Sequence, residues 1–260
     1  MKRLIPFEKY EGAGNDFIIL DFFEFELLDV NNSDLVQLMC DRHFGIGADG
    51  LIAVTREKDV DFRMLYLNAD GQFSTFCGNG SRCASSYVSG KLNKTNLHFI
   101  AADGLHESHI EPNQVRVKMS DIKNFETSEH GIIVQSGSPH LIVETVEPFN
   151  HPIYSDGKRL RTHFGTEGIN VNFVAYENGL LKIATYERGV EAETLACGTG
   201  ITAAAYFNNI KQKFSGNLTT QVRSKGGDLS VQMKLNGQNA TDIWLIGPAK
   251  KVYSGFYEID

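Results

Sequence analysis

An α/β (α+β) fold made of two similar halves is predicted by this 260-residue sequence, on three observations. Strand patterns run along most of the chain. A few helix patterns interrupt them. A strand–Cys-Gly-x-Gly–helix segment occurs twice, with its cysteines 120 positions apart. Solenoid periods are only roughly 20–50 residues, so a repeat at this interval indicates a duplicated half.

The elements follow in chain order. Ser33 is read as the N-cap of a helix over residues 34–43, with Leu35, Leu38 and Met39 on one face. Phe62, Met64 and Tyr66 alternate with Arg63, Leu65 and Leu67, the period of a strand, and Asn68-Ala69-Asp70-Gly71 ends it in a turn. A second helix over 79–90 places Cys83, Ala84, Tyr87 and Val88 on its apolar side. Strands 97–101 and 105–111 flank Asp103-Gly104, and 115–119 adds another. The second half repeats this order. Strands 171–176 and 180–187 precede an Ala-rich helix over 199–213, and strands 221–224, 229–235 and 243–246 follow. The halves are placed at 1–120 and 121–260, with a final strand near 251–260 that can pack back on the first half. Two such α/β halves imply a cleft between them.

Composition narrows the function. Hydrophobic residues make up 42% and charged residues 22%, ordinary for a globular enzyme, and the net charge is −7. The Lys and Arg residues are scattered, which argues against a nucleic-acid or anionic-membrane partner. Residues 1–9 lack an apolar stretch of signal-peptide length, and no run approaches a membrane span, so a cytoplasmic protein is expected. Oligomeric state is left open, a homodimer included. The four cysteines, Cys40, Cys77, Cys83 and Cys197, do not suggest a disulfide framework in such a chain. They form no Cys-x-x-Cys pair, so no metal site is expected. Cys40 and Cys83 fall within helix patterns and read as core.

Cys77 and Cys197 differ from these because each opens a helix. A helix N-terminus carries unpaired N–H groups and partial positive charge, which attract anions and favour a thiolate. The glycines after each Cys leave room for a close backbone approach. Two such elements facing one bound molecule would put a thiol on each side of it. That is what inversion of an amino-acid α-carbon needs: a base on one face, an acid on the other, and exchangeable roles. The two thiols would titrate as a pair, with one thiolate and one thiol in the productive form.

The sequence resembles the diaminopimelate epimerase family of pyridoxal-independent enzymes. The resemblance runs through Gly12-Ala13-Gly14-Asn15-Asp16-Phe17, the segment from Arg42 to Gly50, Asn68-Ala69-Asp70-Gly71 and Cys77-Gly78-Asn79-Gly80-Ser81-Arg82-Cys83. It continues through Gly137-Ser138-Pro139-His140, Asn170, Tyr186-Glu187-Arg188-Gly189 and the segment from Glu193 to Gly200. It implies halves in which mostly antiparallel strands wrap a central helix, related by a pseudo-twofold axis, with the active site in the cleft. It implies that Cys77 and Cys197 are the acid/base pair, and that no cofactor takes part. Asn15, Asn68, Gly78, Asn79, Asn170, Glu187, Arg188, Gly198 and Thr199 would bind the substrate, while His140 and Glu187 would tune the cysteines. The implied reaction interconverts LL- and meso-2,6-diaminopimelate in lysine and peptidoglycan-precursor synthesis. Ser138 stands where many members have Asn, and Gly50 where some have Gln.

A two-cysteine racemase of the proline racemase kind is the alternative, but such enzymes resemble Cys-Gly-His-Gly where Asn79 stands here. From another class, an amino-acid binder has no use for thiols on both faces of its ligand. A thiol redox sensor needs a resolving cysteine beside the reactive one.

Overall fold

The computed structural model describes residues 2–74, 76–166 and 168–259 and divides them into two units. One holds residues up to Val117 together with those from Pro248 onward, and the other runs from Lys118 to Gly247. The second half therefore ends at Gly247 rather than at residue 260, for a reason that lies in strand pairing. The last strand runs antiparallel to the first, from Arg3 opposite Ile259 to Glu11 opposite Lys250.

In the first unit, β1 (Arg3–Gly12) and β2 (Asn15–Phe22) form a hairpin, and α1 (Ser33–Cys40) leads to β3 (Gly50–Thr55) and β4 (Phe62–Asn68). The central helix α2 (Gly78–Leu92) follows, then β5 (Asn96–Ala101), β6 (Gly104–Glu111) and β7 (Gln114–Lys118). Neighbours in this sheet are antiparallel except for the parallel pairs β2–β3 and β4–β5. The period of two sorts the strands into two cores. Phe17, Ile19, Ile52, Val54, Phe62 and Met64 pack with Cys83, Ala84 and Val88 of α2. Their neighbours Ile18, Leu20, Leu51, Ala53 and Leu67 pack with Val36, Met39 and Cys40 of α1. Both Cys40 and Cys83 are buried, and burial pushes the Cys40 thiol up to about 12 and Cys83 further, so neither ionises at neutral pH.

The second unit repeats the order. Strands β8 (Phe125–Ser128), β9 (Gly131–Gln135) and β10 (Pro139–Glu144) precede α3 (Ile153–His163), β11 (Asn170–Glu177) and β12 (Leu180–Glu187). A short β13 (Ala192–Thr194) leads into the central helix α4 (Gly198–Lys211), followed by β14 (Gly216–Ser224), β15 (Gly227–Asn236) and β16 (Asn239–Gly247). The parallel pairs β10–β11 and β12–β14 occupy the places of β2–β3 and β4–β5. The duplication thus covers nine elements in the same order in each unit, with β13 inserted in the second, well beyond the Cys-containing segment.

Three expectations need correction. Helix α1 is capped by Asn32, whose side chain accepts the Leu35 N–H at 3.2 Å, and it stops at Cys40. There the Asp41 carboxylate takes the N–H groups of His43 and Phe44 at 2.7 Å each and turns the chain. Its buried face is Val36, Met39 and Cys40, and Leu38 is 47% exposed. The strand expected to run into Cys77 ends at Asn68, and among the described residues that follow it Phe73 forms an isolated bridge with Leu67. Helix α3 has no counterpart in the sequence reading because it is polar and interrupted by Gly157. That glycine is required by packing: a Cβ there would lie 2.4 Å from Cβ of Tyr186.

Candidate active site

Each Cys-Gly-x-Gly segment folds alike because its cysteine is the N-cap of a central helix. Cys77 and Cys197 both adopt extended backbone, with φ/ψ of −122°/109° and −115°/110°. Their carbonyls accept the Ser81 and Ile201 N–H groups at 2.8 and 2.9 Å. Around the sulfurs the two units differ.

At Cys77, the Gly80 N–H points to Sγ at 3.4 Å, the capping bond of α2. Asn15 is brought there by the β1–β2 hairpin, whose two-residue turn has Ala13 at φ 58° and Gly14 at φ 81°. Gly12 lets that hairpin lie on α2, since a Cβ would meet Cys83 Sγ at 3.1 Å. Asn15 Oδ1 then stands 3.9 Å from Cys77 Sγ and accepts from Asn79 Nδ2 at 3.2 Å. Asn79 Oδ1 in turn accepts from Arg82 Nη2 at 3.0 Å. Arg82 is fully buried, and its other acceptors are the Gly78 and Pro248 carbonyls at 3.3 and 3.2 Å. At the opposite end, Asn15 Nδ2 donates to Asp49 at 2.6 Å. Asp49 belongs to an ion cluster in which Arg42 contacts Asp16 and Asp49 at 2.7 Å each and Lys9 contacts Asp16 at 2.6 Å. Burial raises the Asp16 pKa, but the hydrogen bonds from Arg42 and Lys9 outweigh it and hold the carboxyl at about 2. Asn68 closes β4 opposite Gly50, and Gly71 N–H donates to its carbonyl.

At Cys197, Thr199 Oγ1 stands 3.5 Å from Sγ and 2.8 Å from His140 Nε2. Ser138 Oγ lies 2.9 Å from the same nitrogen and 3.2 Å from Thr199 Oγ1. His140 is fully buried on β10. Burial pushes its pKa down to about 3, helped by the positive charge of Arg188, so the ring is neutral. Asn170 opens β11 and is committed within the protein: Nδ2 donates to Ser138 Oγ and the Pro139 carbonyl, and Oδ1 accepts the Arg188 N–H at 2.9 Å. Glu187 ends β12 and accepts from Thr194 at 2.9 Å.

The structure thus gathers Asn15, Asn79 and Gly78 around Cys77, and Thr199, His140 and Asn170 around Cys197. Sequence reasoning missed Arg82, Asn172, Thr185 and Ser136, whose hydroxyl donates to the Thr199 carbonyl at 2.8 Å. All four are buried polar residues, which residue type alone reads as solvated. Ser138, the residue that departs from the family pattern, joins three of the site residues through one hydroxyl. Gly50 has no room for a longer residue as packed, since a Cβ would lie 2.5 Å from the Leu67 carbonyl. Among the described residues, one cluster has the makeup of a metal site: Glu129, His130 and His163, at the β8–β9 turn and the end of α3. It shares no residue with either cysteine cluster.

The model of the family "Diaminopimelate epimerase" matches residues 7–124 and 132–252. A diaminopimelate epimerase of Flavobacterium psychrophilum is 39% identical over 251 residues, covering 94% of this chain and 97% of the relative. The chain belongs to the diaminopimelate epimerase family. Further members include those of a Hydrogenobaculum species, 37% identical over 96% of this chain and 98% of the relative, and of Aquifex aeolicus, 33% identical over 96% and 97%. Membership makes the chain an isomerase. Its fold recurs in a Bacillus anthracis phenazine biosynthesis protein of the PhzF family, with a TM-score of 0.75, 15% identity and 99% of each chain covered. A hydroxyproline epimerase from Agrobacterium vitis gives a TM-score of 0.73 at 14% identity, covering 99% of this chain and 93% of that one. At such identities the proline-type enzymes share the fold, whereas the sequence relatives carry the diaminopimelate epimerase name. Among the described residues no helix is long and apolar enough to cross a membrane.

Proposed function

We propose that this chain interconverts LL- and meso-2,6-diaminopimelate, with Cys77 and Cys197 serving opposite faces of one α-carbon. The observation that carries the reading is the duplicated cap: each central helix begins at a cysteine, in matching backbone geometry. One thiolate removes the α-proton and becomes a thiol. The electron pair left on carbon delocalises into the substrate carboxylate, and the opposite thiol then delivers its proton to the other face. No electron is gained or lost and no proton is left over, so the pair ends with its roles exchanged. Helix N–H groups after Gly78 and Gly198 favour the developing carboxylate charge, and they accelerate the step only as far as they bind it more tightly than the ground state.

The remaining residues read the substrate. Arg188 suits a carboxylate and Glu187 an ammonium group, while Asn15, Asn68, Asn79 and Thr199 offer neutral polar contacts. Asn170 acts one step back by fixing the Arg188 backbone. The same reading places the enzyme in the cytoplasm, in lysine and peptidoglycan-precursor synthesis, on a free small-molecule substrate. A short incubation with LL-diaminopimelate in D₂O tests it. Deuterium should enter newly formed meso product while recovered LL substrate stays almost unlabelled. Equal early labelling of both would overturn the two-base mechanism, and absence of turnover would overturn the substrate.

A further inference from the structure

Asn172 touches neither cysteine, yet its surroundings decide where the protons of the Cys197 cluster lie. It is fully buried on β11, opposite Thr185 on β12. Its amide group has one permitted orientation. The Leu141 carbonyl, 3.2 Å away, can only accept, so the atom facing it is the NH₂. Thr185 Oγ1 donates to the oxygen at 2.9 Å and braces the other side. The second hydrogen of the NH₂ then points at His140 Nδ1, 3.0 Å away.

An NH₂ group cannot accept, so His140 Nδ1 must present its lone pair. The ring hydrogen therefore sits on Nε2. A proton on Nδ1 would set N–H against N–H where no water can intervene, which excludes both the other neutral tautomer and the imidazolium. From Nε2 the hydrogen meets Thr199 Oγ1 and Ser138 Oγ, at 2.8 and 2.9 Å. Ser138 already accepts from Asn170 Nδ2 at 3.2 Å, and its own hydrogen has Thr199 Oγ1 at 3.2 Å. Thr199 is thus supplied with donors, and its hydroxyl hydrogen goes to Cys197 Sγ at 3.5 Å.

Gly200 supports the same assignment independently. A Cβ at this position would lie 2.4 Å from Asn172 Oδ1 and 3.2 Å from His140 Cε1. The last glycine of Cys197-Gly198-Thr199-Gly200 clears space for the Asn172–His140 pair. Of the charged groups nearby, Arg188 just beyond β12 disfavours a positive His140, and Glu187 at the end of β12 accepts from Thr194.

We propose that Asn172 is a positioning residue that locks His140 in its Nε2–H tautomer, so that Thr199 donates to the Cys197 sulfur and favours its thiolate. This rests on the epimerase reading, in which Cys197 exchanges a proton with substrate. The test uses the full chain and has two readouts. Nitrogen-15 spectra of the unmodified protein should show His140 as a single Nε2–H tautomer between pH 6 and 8. Asn172→Leu keeps the side-chain shape and removes the lock. It should give His140 a mixture of tautomers and slow iodoacetamide alkylation of Cys197 at neutral pH about tenfold, which corresponds to a thiol midpoint raised by about one unit. Alkylation of Cys77, followed by mass spectrometry in the same samples, should not change. The variant should lower kcat more than it alters KM. An Nδ1–H tautomer in the unmodified protein would overturn the proposal. So would an Asn172→Leu protein whose Cys197 alkylation profile is unchanged. If that variant does not fold, the spectrum of the unmodified protein decides. Failure of the unmodified chain to epimerise diaminopimelate would instead sink the epimerase reading, and the tautomer would still be read directly.

Discussion

Cys77 and Cys197 cap equivalent helices in equivalent backbone conformations, yet they meet opposite hydrogen-bonding partners. At Cys77 the network starts from a cation. Arg82 can only donate, so Asn79 must turn its oxygen toward it and its NH₂ toward Asn15. Asn15 must then face Asp49 with its NH₂, which leaves its oxygen toward Cys77 Sγ. At Cys197 the network is neutral and starts from Asn172, and the group it turns toward the sulfur is a hydroxyl donor. The side chain of one half thus offers an acceptor and that of the other a donor. Duplication kept the cap and the helix, which are backbone features, while the side chains behind them diverged.

Breaking the charged network should have the largest effect on this comparison. Arg82 is fully buried, and its three acceptors are the neutral oxygens of Gly78, Asn79 and Pro248. Burial works against its charge and lowers its pKa, so the group is retained at a cost. Arg82→Met keeps most of the volume but takes the side-chain donor from these three oxygens, two of them buried. We expect a loss of about 3 kcal/mol or more in chemical denaturation, since each unsatisfied group costs roughly 1–3 kcal/mol. Turnover should also fall, because Asn79 and Asn15 lose their fixed orientation beside Cys77. A variant of unaltered stability and kcat/KM would show that the network does not govern this half.

Much of this was legible in the sequence, and the limit has a physical cause. The Cys-Gly-x-Gly repeat is a backbone signal: a capping residue and small residues at a helix start are read from residue type alone. Alternation in β4 likewise fixed which residues face each core. Asn172 and Arg82 carry no such signal. Asn172 continues the polar positions of Asn170-Val171-Asn172, a pattern that a surface strand would also show. Arg82 lies between Ser81 and Cys83, and only the packed structure shows that no side of α2 reaches water there. Helix α3 escaped for the reverse reason, because Lys158, Arg159 and Arg161 make it look like a solvated segment. The C-terminal strand needed long-range pairing with β1 before its unit could be assigned.

The glycines of the two motifs sharpen the comparison at a smaller scale. An alanine at position 80 would bring its Cβ to 3.1 Å from the tip of Ile52, a flexible methyl that can give way. At position 200 it would meet Asn172 Oδ1 at 2.4 Å, and that amide is held by Leu141, Thr185 and His140. Gly200→Ala should therefore cost about 2 kcal/mol more than Gly80→Ala, within the range of overpacking a rigid site. It should also slow alkylation of Cys197 as loss of the lock does. Thermal denaturation of the two variants side by side would measure the difference. Equal costs would mean that the Asn172–His140 pair shifts freely.

Acid should also separate the halves. In the unfolded chain His140 would titrate near 6.5, but in the folded protein burial holds it at about 3. Below pH 6.5 the unfolded state binds a proton that the folded state refuses, so stability falls with pH at up to about 1.4 kcal/mol per unit. The loss begins below 6.5 and ends near the folded value. Asp16 in the first unit has the opposite character. Its ordinary value of 3.8 is lowered to about 2 by Arg42 and Lys9, so the stability it contributes is complete above 3.8 and is lost only as pH falls toward 2. Urea unfolding from pH 7 to 5 should therefore report His140 and leave the Asp16 cluster silent. His140→Gln, which cannot titrate, should flatten that slope while leaving the loss below pH 4 in place. A slope that survives in His140→Gln would assign the acid sensitivity to another group and remove the burial of His140 as its cause.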